Sequence, residues 1–396
     1  MNRRQFLLST ATGAATCTLG GRLYAAPASS PRFLLVFLRG GYDCNTTLVP
    51  YASDFYYASR PTIAIARPDA EDPASAIRLD SNWGLTPALS DSIAPMFQRR
   101  EVAFVPFAGT ADLSRSHFET QDDIESGLAA QDRHDFRSGF LARLSSVLTG
   151  VQPMAFTDAL PLVFRGAADI PNVSLKGAIK PSFDARQTQI LTDMYQGRRL
   201  QTHVAEGFKV RQQVAQDLGD AMSRASRGAI SAKGFEAEAQ RIATLMRDQF
   251  RLGFVDVGGW DTHVNEGGAQ GTLANNLGNL GRGLAAYATA LGNEWKNTVV
   301  VVVSEFGRTF RENGNKGTDH GHGTVYWVLG GSVAGGRILG EQVAVERATL
   351  LQDRDYPVLT DYRSMFGGLF ARLWGLSSER VQQVFPDSRS IDLKLV

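Results

Sequence analysis

The sequence predicts an α/β fold with a mostly parallel central sheet and helices on both faces. Three observations carry this. Several apolar runs are continuous rather than alternating, as strands covered on both faces require. Helical stretches separate those runs, and strands alternating with helices build a parallel sheet. Each strong run also ends in a polar or Gly-rich segment holding an acid or a histidine, and open α/β sheets place their sites at such carboxyl ends.

The first run is Phe33-Leu34-Leu35-Val36-Phe37-Leu38, which passes into Arg39-Gly40-Gly41-Tyr42-Asp43. The second, Val102-Ala103-Phe104-Val105-Pro106-Phe107, leads on to Ser114-Arg115-Ser116-His117-Phe118-Glu119. Leu162-Val163-Phe164 is a short strand candidate. Residues 204–250 are rich in Ala, Gln, Arg and Glu and read as two helices broken near Gly228. With so few strand signals, residues 150–250 are expected to form a helical cap inserted into one domain of residues 29–396. A third run, residues 251–257, ends in Gly258-Gly259-Trp260-Asp261-Thr262-His263. Leu273, Leu277, Leu280, Leu284 and Leu291 then fall at helix spacing as one apolar stripe. The valines 299–303 end in Ser304-Glu305-Phe306-Gly307-Arg308-Thr309, Asp319-His320-Gly321-His322-Gly323 follows, and Tyr326-Trp327-Val328-Leu329 is the last strand candidate.

Composition narrows the function. The 396 residues hold 41 Lys and Arg against 40 Asp and Glu, so no basic field favours nucleic acid. No apolar run approaches the ~20 residues of a membrane span, so a soluble mature chain without a transmembrane segment is expected. Residues 1–28 carry Arg3, Arg4 and Arg22 and no acid, so their removal takes the formal charge from +1 to −2. The order Arg3-Arg4-Gln5-Phe6-Leu7-Leu8, a diluted Ala/Thr/Gly stretch and small residues at 25–28 read as a twin-arginine signal peptide. This predicts handling by the twin-arginine export machinery and a periplasmic or secreted product. Cleavage there leaves Cys44 as the single cysteine and no intrachain disulfide.

The chemistry collects at the strand ends, which hold four of the six histidines. Asp43 after two glycines reads as a turn former, a helix N-cap or a ligand. Glu305 after five valines is a carboxylate beside a buried strand and needs a cation or hydrogen-bond donors. Asp261 with His263, and Asp319 with His320 and His322, pair carboxylate with imidazole, a donor set that suits zinc, manganese or iron rather than calcium. In the 319–323 segment the glycines let backbone and imidazoles crowd one point. His134 and His203 read as ordinary surface or capping histidines.

Taken together, the leader and these strand-end segments resemble the DUF1501 family of exported, sulfatase-like proteins within the alkaline phosphatase-like superfamily. The resemblance implies a metal-dependent hydrolase or transferase acting on phosphate or sulfate esters, on small-molecule or glycan substrates. By the same resemblance Ser116 stands at the nucleophile position, with Ser114 as competitor on the same turn. Asp43, Asp261, His263, Glu305, Asp319 and His320 or His322 stand at ligand positions for a divalent metal, zinc or manganese, as one ion or two. Arg115, Arg39 or Arg308 is expected to clamp the anion, and His117 to ligate or orient. Phe306 departs from the histidine common at that place, and no Cys-X-Pro-X-Arg is present for a formylglycine. The contrasting expectation is a non-catalytic exported module that keeps the fold and binds a glycan or a partner protein.

Overall fold

The computed structural model describes residues 31–396, except 130–131, 133–134, 167–169, 176–193, 199–200 and 202–233. The twin-arginine leader, His134, His203 and the helix break near Gly228 lie outside the described residues.

A sheet in the order β10-β5-β9-β8-β1-β7-β6 forms the centre of the domain. Its strands are β1 (Arg32–Leu38), β5 (Val102–Gly109), β6 (Pro153–Phe156), β7 (Leu252–Val257), β8 (Thr298–Ser304), β9 (Thr324–Leu329) and β10 (Arg337–Ile338). A further short strand, β11 (Thr360–Asp361), pairs with β5. Among the described strands of this sheet only β9 runs against its neighbours, β5 and β8, so the sheet is mostly parallel as expected. A small antiparallel sheet joins β2 (Leu48–Val49), β3 (Ile77–Arg78) and β4 (Gly84–Leu85).

The continuous apolar runs are buried on both faces. Phe33, Leu35, Phe37, Val299, Val301 and Val303 enter one core, and Leu34, Val36, Leu38, Val300 and Val302 enter the other. Between the strands lie α1 (Cys44–Thr47), α2 (Asp54–Ser59), α3 (Ile93–Gln98), α4 (His117–Ser126) and α5 (Phe140–Val147). Later come α6 (Phe235–Asp248), α7 (Thr272–Leu291), α8 (Tyr362–Trp374) and α9 (Ser378–Val384). All five leucines of the α7 stripe are buried in the core of Leu34, Val36 and Leu38, together with α6 residues Ala239, Ile242 and Met246. The core of Phe33, Leu35 and Phe37 holds the aromatic residues Phe366 and Phe370 of α8.

Two elements differ from the sequence reading. Leu162–Phe164 is a 3-10 turn rather than a strand, because Pro161 before it and the Val163 N–H bonded to Glu125 leave its backbone no sheet partner. Within residues 150–250, β6 is an edge strand pairing in parallel with β7, and α6 packs on the main sheet domain.

Register aligns the site. Leu38 at the end of β1 pairs with Val257 at the end of β7 and with Ser304 at the end of β8. The segments starting at Arg39, Gly258 and Glu305 therefore leave the sheet side by side. The end of β5 points the same way, and its chain returns as α4.

Candidate metal centre

Four segments converge at this rim. His117 opens α4, which is capped by the Ser116 hydroxyl accepting from the Glu119 N–H and closed by Gly127 in the left-handed region. Just before it, Arg115 holds φ of +54°, a left-handed conformation that turns the chain into the helix. The segment after β8 pairs with the 319–322 loop: the Gly321 N–H donates to Gly307 and the Thr309 N–H to Asp319. This bridge sets His320 opposite Arg308. A Cβ on Gly321 would stand 2.4 Å from the Arg308 carbonyl carbon, so only glycine permits the approach. Likewise Gly40, at φ +126°, would meet the Asp261 N–H at 2.7 Å if it carried a Cβ.

Asp261 Oδ1 is the common vertex. His263 Nε2 lies 2.9 Å from it, His320 Nε2 3.3 Å and His117 Nε2 3.6 Å. The Nε2 atoms of His263 and His320 are 3.1 Å apart. Zinc with N and O ligands at ~2.0–2.1 Å sets tetrahedral ligand–ligand separations of about 3.3 Å, and these four distances scatter around that value. Among the described residues His117, Asp261 and His320 form a group whose ligand atoms all lie within 4.8 Å of one another, and His263 flanks the Asp261 and His320 side of it.

The other ring nitrogens are already committed. His117 Nδ1 meets Glu305 Oε1 at 2.7 Å, His320 Nδ1 meets the Arg115 carbonyl at 3.0 Å, and His263 Nδ1 meets Asp319 Oδ1 at 3.3 Å. Each of these partners accepts, so each imidazole carries its proton on Nδ1 and turns an Nε2 lone pair inward. Two lone pairs 3.1 Å apart repel unless a cation or proton lies between them. His117 Nε2 is buried without a hydrogen-bond partner, an arrangement that a bound cation would relieve. The residues present therefore fit a divalent metal.

Electrostatics agree. The hydrogen bond to Glu305 raises the His117 imidazole above its ordinary value, against its burial. Burial pushes His320 down, which keeps it neutral. Burial works to raise Asp261, but the Arg308 guanidinium and the neighbouring imidazoles hold it below the usual carboxylate range. Asp261, Glu305 and Asp319 less Arg308 leave a formal charge of −2, the complement of one divalent ion.

A family profile described as "Protein of unknown function (DUF1501)" matches residues 107–385. The chain belongs to the DUF1501 family. No curated protein matches it significantly. Among solved structures it is similar to Ps i-CgsB in complex with k-i-k-neocarrahexaose, at 11% identity over 92% of this chain and 76% of that one, with a TM-score of 0.40. The C-terminal periplasmic domain of EcEptC from Escherichia coli, a complex with Zn, is 11% identical over 76% of this chain and 73% of that one, TM-score 0.38. A protein in the alkaline phosphatase superfamily from Vibrio parahaemolyticus is 11% identical over 76% and 60%, TM-score 0.33.

This DUF1501 chain brings Asp261, His263 and His320 together with His117, which the sequence offered as a ligand or an orienting group. Glu305 and Asp319 stand one bond further out, holding the Nδ1 protons of His117 and His263 instead of facing the vertex. Asp43 is elsewhere. It caps α1, and both its oxygens are taken by Arg60, which is fully buried beside it. His322 is also apart, because the chain bends there. Its ring meets the Asp112 backbone and Arg115, and burial pulls its pKa down to about 4. Phe306 fills the space beside the imidazoles, its ring 4.9 Å from His117 and 5.0 Å from His320.

None of the three arginines is an uncommitted clamp. Arg39 binds Asp256, Gln121 and Glu125. Arg308 is wholly buried and bonds the carbonyls of Gly40, Gly41, Trp260 and Thr318 as well as Asp261, so it ties three loops together. Arg115 pairs with Asp355 and Gln352 but stays partly exposed. Ser114 donates to Asp112 Oδ2 at 2.7 Å, while Ser116 serves as the α4 cap. Cys44 is free and buried, and burial pushes its thiol up, so it behaves as core.

Proposed function

We propose that this chain is an exported, metal-dependent hydrolase or transferase acting on phosphate or sulfate esters at a single-ion centre. The observation that carries the proposal is the convergence of three imidazole Nε2 lone pairs on Asp261 Oδ1, each ring fixed from behind by an acceptor on Nδ1. A divalent ion, zinc or manganese by the donor set, would be held by His117, Asp261, His263 and His320, and would supply Lewis-acid polarisation of an ester oxygen.

Ser116 is assigned the nucleophile. It immediately precedes His117 and sits at the N-terminus of a ten-residue helix, where the helix dipole favours developing negative charge. Its oxygen would displace the ester alkoxide from phosphorus or sulfur, and water or a second alcohol would then release the group, giving hydrolysis or transfer. Arg115, one residue before and partly exposed, is proposed to meet the transferred group. Among the described residues no helix is long and apolar enough to cross a membrane, which is compatible with export through the twin-arginine route to the periplasm or beyond.

The test is metal content after purification, followed by a screen of aryl phosphates, phosphodiesters and aryl sulfates. About one zinc or manganese per chain is expected, with turnover lost on chelation and restored by the metal. Ser116→Ala is expected to cut turnover by several orders of magnitude with metal content unchanged, and Ser114→Ala to cost little. A chain that binds neither metal overturns the proposal. Full metal loading without turnover of any substrate class favours the binding module instead.

A further inference from the structure

We infer that Gln121 and Arg39 are positioning residues that fix the ring of His117 in the one tautomer able to bind metal. The inference rests on the metal centre proposed above but makes a separate prediction about the metal-free chain.

His117, Gln121 and Glu125 are spaced four apart on α4, so they form a single stripe along one helix face. That stripe meets the ends of two strands. Arg39, just past β1, donates Nη1 to Gln121 Oε1 and Nη2 to Glu125 Oε1, both at 2.8 Å. Its Nε donates to Asp256 at the end of β7, also at 2.8 Å. Gln121 Nε2 in turn donates to Glu305 Oε1 at 2.8 Å. The same oxygen accepts the Gly40 N–H at 2.8 Å and His117 Nδ1 at 2.7 Å.

Donor and acceptor capacities permit one solution only. A guanidinium cannot accept, so Arg39 forces the Gln121 carbonyl toward itself and the amide nitrogen toward Glu305. Glu305 is buried. Its Oε1 already takes the Gly40 N–H and the Gln121 amide, both of which can only donate, so toward His117 that oxygen is an acceptor. His117 must then donate from Nδ1, which leaves the Nε2 lone pair for the vertex at Asp261. Without Gln121, Glu305 Oε1 keeps the Gly40 N–H but loses its side-chain donor from α4, and the ring of His117 is held less firmly. Such groups behind a metal ligand typically change affinity 10–100-fold.

The experiment compares wild type, Gln121→Met, His117→Ala and the double variant. Zinc affinity is measured by competition with a chromophoric chelator, and His117 nitrogen shifts are measured by NMR on metal-free protein above pH 8. Gln121→Met, which keeps the side-chain volume but removes both hydrogen bonds, is expected to weaken zinc by roughly 10–100-fold. In the His117→Ala background it is expected to change zinc affinity by less than about 2-fold. Metal-free wild type is expected to show the Nδ1-protonated form alone, and Gln121→Met a mixture. Unchanged affinity in Gln121→Met, or an equal loss with and without His117, overturns the inference. If wild type binds no zinc, the proposed function falls, while the NMR spectra alone decide the inference. A single tautomer persisting in Gln121→Met then refutes it.

Discussion

Two polar clusters lie in the loops at this rim, and they have opposite character. At one, three imidazoles and Asp261 direct unshared electron pairs at a common point, and His117 Nε2 is buried without a partner. At the other, Asp43 is enclosed by Arg60, which also donates to the Phe310 and Thr309 carbonyls. Glu266 joins that second cluster, fully buried, accepting from Thr262 and Thr318 through Oε2. Both clusters combine acids with cationic or imidazole groups, and the sequence marks both with strand-end aspartates. The difference is the source of positive charge. The Asp43 cluster carries its own cation in Arg60 and is a structural knot. The Asp261 cluster leaves His117 Nε2 without a partner even with Arg308 donating to Asp261 at its edge. A binding site is recognised by the bonds it leaves open, not by the residue types it gathers.

The sharpest way to break that contrast is at the vertex. Asp261→Asn keeps an oxygen where all three imidazoles face but removes its negative charge, leaving a neutral amide opposite Arg308. Zinc affinity is expected to fall by roughly 100-fold or more, at or beyond the upper end of the effect of groups that only orient a ligand. Chelator competition on purified protein checks this. Retained tight binding would move the centre away from Asp261.

The matching lesion in the other cluster has the opposite signature. Arg60→Met leaves the Asp43 carboxylate buried without its cation, and breaking a buried pair in this way costs about 3–5 kcal/mol. Urea unfolding is expected to show that loss, whereas zinc bound per folded chain stays unchanged. Lost zinc in a variant that still folds would show that the two clusters are one site.

How much of this was legible in the sequence follows from the same contrast. The parallel sheet was legible because continuous apolar runs such as Val299–Val303 have few alternatives to a doubly covered strand. Asp261, His263 and His320 were legible because strand ends share a rim. Glu305 was legible as a carboxylate in need of a donor, but not its partner. The His117, Gln121 and Glu125 spacing is plain in the sequence, yet nothing local says which strand end that face meets. Asp43 was read as a ligand because Arg60 lies 17 residues further on and reaches it only through tertiary packing. His320 and His322 are two apart, which on a straight strand would point both to one side. The bend at His322 separates them.

The smallest expected effect is the most specific, and it lies in the Asp43 cluster. Glu266 Oε1 is buried and faces Asp43, while Oε2 accepts from two threonine hydroxyls. Burial and the neighbouring Asp43 charge drive the Glu266 carboxyl well above its ordinary value, which favours its protonated form beside Asp43. Burial works to raise Asp43 as well, but Arg60 prevails and holds it at about 2. The two carboxyls therefore contribute to stability with opposite signs. Asp43 stabilises the fold above its unfolded pKa of about 3.9 and loses that contribution as pH falls toward 2. Glu266 binds its proton more tightly folded than unfolded, so above about pH 4.3 it makes stability decline as pH rises toward its folded pKa. Glu266→Gln copies the protonated form: its carbonyl accepts from Thr262 and Thr318, and its amide donates to Asp43. At pH 5 the variant is expected to match wild type within about 0.5 kcal/mol. As pH rises from 5 to 8 the variant is expected to become the more stable of the two. Urea midpoints at pH 5, 6.5 and 8 check the trend. A difference that stays flat across that range, or turns in favour of wild type, would mean that Glu266 is ionised beside Asp43, and the second cluster would then hold an unmatched charge of its own.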